Sequence, residues 1–564
     1  MSPKKPTTSS DDAQVNERTS LLKTPSSDSK STPEQQAWAS GEWKKCLVLL
    51  VGIFIVNFDS AALLALFRRI GSEFDQMSSA SWIVTAYVVG VIATQPIYGK
   101  LSDIYGRKPL LLFGYACYCA GGLIAGTSTS FWGILVGRAI CGVGNAGMSV
   151  LISILIVDFV PREDVAVWRG YVYAINFIGR AFGPTVGGFL ADNVNWRWCL
   201  VYHIPINTAA AIFIWRRMNF PLPSAVASTT KSKFKRIDFA GSISLAIANV
   251  SFLLFLHRAQ KHPELNGNAA AVIPLSTWLS FIALFMLVEA FWAKEPIFPL
   301  QLLTRPNVIS AYAMQFLLAG RHLALYTSIP LYFQVVMGDS TVVSATRLLT
   351  LTIGTLCGGL VSGAVIKRTK LHRRVILSTL IPSNLCLLAI FIRWRGPIHW
   401  SETLYCFPAG LAYGVSLSAA FVALTTSLEA SQVAVGTSGF YLSLNLGILT
   451  GVSLASMLIT SFVEHALKKS LSHLPNKHDI IRDVTSNLDN IYELPEGVAE
   501  IVRAVYMKSF VNVWMMCLLF EVMALMAAFV MQEAQVDSDT SKQKQPERSP
   551  STAVDEEDGR GRRP

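Results

Sequence analysis

Of the 564 residues, 52% are apolar and only 15% are charged, with a formal net charge of +11. A soluble domain carries about 25% charged residues, so a soluble multi-domain chain is excluded. The bases are scattered over connectors and form no helical face, which excludes a nucleic-acid surface and leaves a multi-spanning membrane protein.

Residues 1–43 are rich in Ser, Thr, Pro and charge, with no apolar core of a cleaved signal peptide. They are expected to form a disordered cytosolic tail. Within it, Glu17, Leu21 and Leu22 of "ERTSLL" resemble an acidic dileucine sorting signal, of the kind a sorting adaptor reads. Apolar blocks of about twenty residues follow, the length that crosses a bilayer as a helix. They predict fourteen spans, near 44–66, 80–98, 110–127, 131–157, 168–190, 198–215, 238–256, 271–292, 308–336, 348–366, 375–392, 403–426, 436–463 and 509–531. The expected organisation is a six-helix bundle over 44–215, a basic loop with two linker helices over 216–292, and a second six-helix bundle over 293–531. A long polar loop, 464–508, precedes the last span, and 532–564 is a second disordered cytosolic tail.

Orientation follows from basic residues in the short loops, which gather on the cytosolic side. One side holds Lys100, Arg107, Lys108, Arg162, Arg169, Arg216, Arg217, Lys231, Lys233, Lys235, Arg236, Lys294, Arg305, Lys367, Arg368, Lys370, Arg373 and Arg374. The opposite side holds Arg68, Arg69, Arg197, Arg258, Lys261, Arg347, Arg393 and Arg395. Both termini are therefore expected in the cytosol, and 464–508 in the lumen. The nine cysteines lie within or beside spans, so no lumenal disulfide framework is implied. Cys117 and Cys119 are spaced too tightly for a zinc pair, and no metal site is expected.

The connector between the second and third spans, "GKLSDIYGRKP" from Gly99 to Pro109, concentrates charge in an otherwise apolar chain. Gly99 and Gly106 permit tight turns and close backbone approach. Asp103 is expected just before the third helix, where exposed N–H groups favour a carboxylate, and Arg107 and Lys108 can pair with it or anchor in lipid headgroups. The order Gly99, Leu101, Asp103, Gly106, Arg107, Lys108 resembles the signature that major facilitator superfamily proteins carry between their second and third helices. "LVGRAICGVG" around Arg138 is similar to that family's buried-arginine motif. "GRAFGPTVGG", with Gly179, Gly183, Pro184, Gly187 and Gly188, resembles its antiporter motif. "WRW" at Trp196 and "IPI" at Ile204 resemble the sixth span of the fourteen-helix drug:proton branch, with His203 where Asn is frequent. "SWIVTAYVVGVIATQPIYGKLSDIYGRKP" resembles fungal vacuolar amino-acid permeases.

The resemblance implies an all-α fold of two rocking bundles plus two extra helices, with the Gly99–Lys108 stretch as a conformational latch. Charged latches can break in each cycle, because exposed ion pairs contribute about 0–1 kcal/mol. Coupling is expected at the rare ionisable groups of membrane depth. Asp59 is the carboxylate inside the first span and can load and release a proton. Arg138 is mid-span in the fourth and needs a cavity or a carboxylate. Arg321 and His322 are adjacent in the ninth, so either one of them lines the cavity or the run breaks there into two shorter segments, and His322 is the reserve proton carrier. Arg180 is balanced between the site and a lipid-headgroup position, Glu289 and Glu521 are read as interfacial near span ends, and Asn176 and Asn445 can bond substrate or, as is more common, neighbouring helices.

No nucleophile–base pair, metal cluster or P-loop is present, so no enzyme is expected. The expected function is proton-coupled antiport of amino acids, basic ones first, from cytosol into the vacuole. No cofactor is called for beyond the proton gradient, and the partners are small-molecule substrate, protons and the bilayer, with the chain acting as a monomer. The alternatives are a plasma-membrane efflux antiporter for organic cations, drugs or secondary metabolites, and a non-transporting nutrient receptor on the same fold.

Overall fold

A computed structural model describes residues 43–76, 79–161, 164–218, 238–261, 269–292, 296, 300–429, 431–471, 480–481, 484 and 494–533. Glu17, Leu21 and Leu22 lie outside them, as do most of the basic 216–237 loop and much of 464–508. The first half runs α1 (Trp43–Glu73), α2 (Trp82–Tyr105), α3 (Arg107–Thr127), α4 (Phe131–Phe159), α5 (Val165–Asn193) and α6 (Trp198–Arg217). Helix α6 is interrupted by a turn at Tyr202. Next come α7 (Phe239–Lys261) and α8 (Ala269–Leu287), the latter closing in a π-helical turn, Val288–Trp292. The second half runs α9 (Pro306–Met337), α10 (Thr341–Thr369), α11 (His372–Arg393), α12 (Cys406–Thr426), α13 (Val433–Ser470) and α14 (Glu496–Val530).

Among the described residues, thirteen helices are long and apolar enough to cross a membrane. Helix α5 is long enough but less apolar, because it carries Arg169, Asn176, Arg180 and a run of glycines. Its glycines serve packing: a Cβ on Gly183 would stand 2.5 Å from the Phe58 carbonyl oxygen of α1 and 2.8 Å from Ala61. Helix α1 packs mainly on α5, and α4 on both α2 and α3; in the second half α10 pairs with α12, and α9 with α13 and α14. Helices α7 and α8 pack on each other, and α7 also touches α2 and α13.

The predicted elements need three corrections. The charged connector is hardly a loop: Gly99 to Tyr105 are the last turns of α2, and Gly106 alone separates α2 from α3. Gly106 adopts φ 91°, ψ 156°, a backbone region that favours glycine, which explains how two helices meet with one residue between them. Asp103 is accordingly inside the last turn of α2 and does not cap α3. The polar stretch 464–508 is also shorter than its composition suggests. Helix α13 continues to Ser470 and α14 begins at Glu496, thirteen residues before the apolar run starts at 509. Amphipathic residues there, Val502, Val505 and Tyr506, pack into the second-half core, so burial extends the helix beyond the apolar block.

Candidate functional site

The first ionisable centre is built from α1, α3 and α4. Asp59 and Arg138 are each 1% exposed, and Arg138 Nη1 donates to Asp59 Oδ2 at 2.8 Å. Tyr118 of α3 donates its hydroxyl to the same oxygen at 2.9 Å. The guanidinium also lies 4.5 Å above the Tyr87 ring of α2, whose hydroxyl meets Ser60. A charge removed from water needs such partners. Asp59 Oδ1 is different: it is buried with no hydrogen-bond partner. One oxygen is therefore held by two donors while the other remains an unoccupied acceptor. His203 stands behind this group, fully buried, with its ring edge-on to Tyr118 at 4.8 Å and to Tyr202 at 5.7 Å. It faces the Tyr118 backbone, yet neither ring nitrogen closes a hydrogen bond.

A second polar group seals the two halves together on the face that carries Gly106. Arg169 of α5 is fully buried and donates to Ser153 of α4 at 2.9 Å and to Tyr441 of α13 at 3.0 Å. It also donates to Tyr173, whose hydroxyl reaches the Leu417 carbonyl of α12, and its guanidinium lies over the Phe421 ring. Nearby, Asn445 of α13 donates to Gln95 of α2 at 2.8 Å, and Ser418 of α12 to the Ala166 carbonyl at 3.1 Å. Closer to the surface, Lys367 of α10 pairs with Asp164 at 2.5 Å. Gly99 belongs to this seal: a Cβ there would stand 2.6 Å from the Ala434 carbonyl oxygen of α13. Arg107 pairs with Asp158 of α4, and the charge of Asp103 also bears on it. Lys108 is half-buried beside it. Sequence reading counted Arg169 as one more loop base and overlooked Ser153, Tyr173 and Tyr441. No local motif marks them, because the group exists only where both halves meet.

Above the seal, away from Gly106, the polar surface changes character. Asn57 donates to Asn176 at 2.6 Å and accepts from Arg180 Nε at 3.1 Å. The Arg180 side chain is exposed, and its charge bears on His322 and Tyr413 in the opposite half. Arg180 therefore faces the space between the halves, which rules out the headgroup position. His322 stacks on Tyr413 with ring centroids 4.1 Å apart. Gly179, Gly183 and Gly187 press α5 onto α1, whereas a Cβ on Gly188 would meet nothing within 4 Å. Pro184 sits inside α5 without ending the helix.

The adjacent Arg321 and His322 lie on an unbroken α9 and point apart. Arg321 turns into the second half, where its Nε is 2.9 Å from Glu521 Oε2 of α14, both side chains 0% exposed. Its Nη2 donates to the Ala409 carbonyl at 3.0 Å. Glu521 is thus not at the membrane interface: packing α14 against α9 carries it inward to the only arginine that α9 buries. Asn176 and Asn445 both bond to neighbouring helices.

Comparison with known proteins agrees with this architecture. The Major Facilitator Superfamily profile matches residues 49–452. A vacuolar membrane amino acid uptake transporter of Schizosaccharomyces pombe, fnx2, is 28% identical over 80% of this chain and 78% of its own length. The multidrug resistance protein fnx1 of the same yeast is 28% identical, over 83% and 88% respectively. Vacuolar basic amino acid transporter 1 of Saccharomyces cerevisiae is 28% identical over 78% and 83%. In fold, the human organic anion transporter MFSD10 aligns with TM-score 0.55 at 12% identity, covering 87% of this chain and all of its own.

Proposed function

This chain belongs to the Major Facilitator Superfamily and is a transporter, not an enzyme; from that premise we propose proton-coupled antiport of amino acids, basic ones included, from cytosol into the vacuole. The observation that carries the proton half is Asp59, with Oδ2 held by Arg138 and Tyr118 and Oδ1 buried without a partner. A proton arriving at Oδ1 neutralises the carboxylate and loosens Arg138. Leaving it restores the pair. Each protonation state thus favours a different packing of α1 against α4, which is what coupling to a moving helix bundle requires.

In this reading all fourteen helices span, the Gly106 face and both termini are cytosolic, and the chain works as a monomer driven by the proton gradient without a cofactor. Excess Lys and Arg on that face supports the orientation. The sealed state described here is then closed to the cytosol and open toward the lumen. The two vacuolar relatives support the location and the amino-acid substrate, and the Glu17-Leu21-Leu22 stretch supports delivery by a sorting adaptor.

The test is uptake of labelled lysine, arginine and histidine into acidified proteoliposomes holding the purified chain. Accumulation that collapses when the pH gradient is dissipated supports the proposal. Absence of uptake for every amino acid, with export of organic cations instead, favours the multidrug reading that fnx1 raises.

A further inference from the structure

The charged groups buried between helices are each answered in place. Arg138 has Asp59, Arg321 has Glu521, and Arg169 is ringed by the hydroxyls of Ser153, Tyr173 and Tyr441. Arg180, exposed to the space between the halves, is not answered in this way. It sits seven residues beyond Tyr173 on α5, about 10 Å farther from the seal by helical rise, on the floor of the space between the halves. Among the described residues no Asp or Glu pairs with it, and its one hydrogen bond goes to the neutral Asn57. Asn57 is itself committed to Asn176 and to the Ile53 carbonyl. Across the gap stand His322, stacked on Tyr413, and Tyr326 with its ring 6.4 Å from the imidazole. This opposite wall is aromatic and contributes no carboxylate.

A guanidinium presents five donors in a planar fork, remains charged at any physiological pH, and binds carboxylates through two parallel bonds. Asn57 fixes one edge of the group by taking Nε, which leaves the terminal nitrogens directed at whatever enters. We propose that Arg180 is the anchor for the substrate's carboxylate, so that the transported molecule must carry one. The inference deepens the amino-acid reading and rests on the transporter assignment. It separates the two classes represented among the relatives, since an organic cation without an acid group would meet an uncompensated positive charge. The anchor also orients the substrate: with its acid end on α5, the amine or side chain is delivered to the aromatic wall of α9 and α12.

The test uses paired compounds that differ by the acid alone: lysine against cadaverine, and histidine against histamine, with glutarate as an acid lacking an amine. Binding to the purified full chain is read by thermal shift, and competition by inhibition of labelled lysine uptake. Each acid is expected to bind at least ten-fold more tightly than its decarboxylated partner. Arg180→Gln should erase that ratio while leaving the protein monodisperse, and Arg180→Lys should recover part of it. Equal binding within each pair, or an unchanged ratio in Arg180→Gln, overturns the anchor. A chain that binds glutarate but no amino acid keeps the anchor and refutes the amino-acid reading, so the two claims fail separately.

Discussion

At the scale of single residues, Asp59 and Glu521 are both buried acids, yet they are held differently. Asp59 Oδ2 accepts two aligned donors, one each from α3 and α4. Glu521 has ionic proximity to Arg321 without an aligned hydrogen bond at either oxygen. For Asp59, the Asn variant keeps the shape and an acceptor but cannot cycle a proton. Asp59→Asn is expected to abolish accumulation driven by an acid interior while leaving exchange of labelled for unlabelled substrate. If accumulation survives, the proton is carried elsewhere, and His322 is the next residue to exchange. For the second pair, removing one partner strands a charge in an apolar bundle, which costs about 3–5 kcal/mol, whereas replacing both by apolar residues is often neutral or better. Arg321→Leu and Glu521→Leu should each lower the melting temperature in detergent, and the double variant should regain most of the loss. Equal, additive losses would show that the two side chains do not depend on each other.

At the scale of helices, α2 carries the seal and its release. The Asp103 charge bears on Arg107, which pairs with Asp158 of α4, so the end of α2, the start of α3 and the end of α4 are tied by alternating charges. Asp103→Asn should leave expression and location unchanged and cut transport severely, measured as uptake per amount of protein. A normal rate would mean that the charges serve orientation alone. The helices themselves were legible because apolar blocks of membrane length announce them, and the length of α9 was visible too, whereas α13 runs on to Ser470, past its apolar block. Their partners were not. Asp59 and Arg138 are 79 residues apart in sequence, and nothing local in either stretch says that α1 and α4 bring them together. Glu521 was read as interfacial although it falls near the middle of the predicted 509–531 run; only the packing of α14 on α9 shows that it turns inward to Arg321. Arg180 was ambiguous for the same reason, since a helix position does not say which neighbour it faces.

At the scale of the whole molecule, the contacts between halves among the described residues gather on one face. Arg169, Tyr441, Gln95, Asn445, Asp164 and Lys367 all bridge there, while Arg180 and His322 lie beyond them. Hydrogen bonds and one partly exposed ion pair cross this closure, and the buried apolar core is continuous through it, joining Val165, Ala166 and Val172 to Ile366, Tyr413 and Phe440. The proposed sorting stretch is tested by where the chain is placed. Replacing Leu21 and Leu22 by alanine should shift a fluorescently tagged chain from the vacuolar membrane to the cell surface with transport activity intact. Unchanged vacuolar fluorescence would remove the tail from the account of sorting and leave the fold untouched.

The corner at Gly106 has a mechanical corollary. Two helices joined by a single residue have no slack, so α2 cannot tilt without dragging α3, and α3 is in turn packed along α4. A load applied at Gly99 by α13 is therefore passed on as torque to half a bundle, much as a stiff elbow moves a forearm. Lengthening that elbow should disconnect the drive without dismantling the parts. One extra glycine after Gly106 adds about 100° of helical phase and a few ångströms of play. The variant is expected to fold and to bind substrate as before, while its turnover drops far more than its affinity.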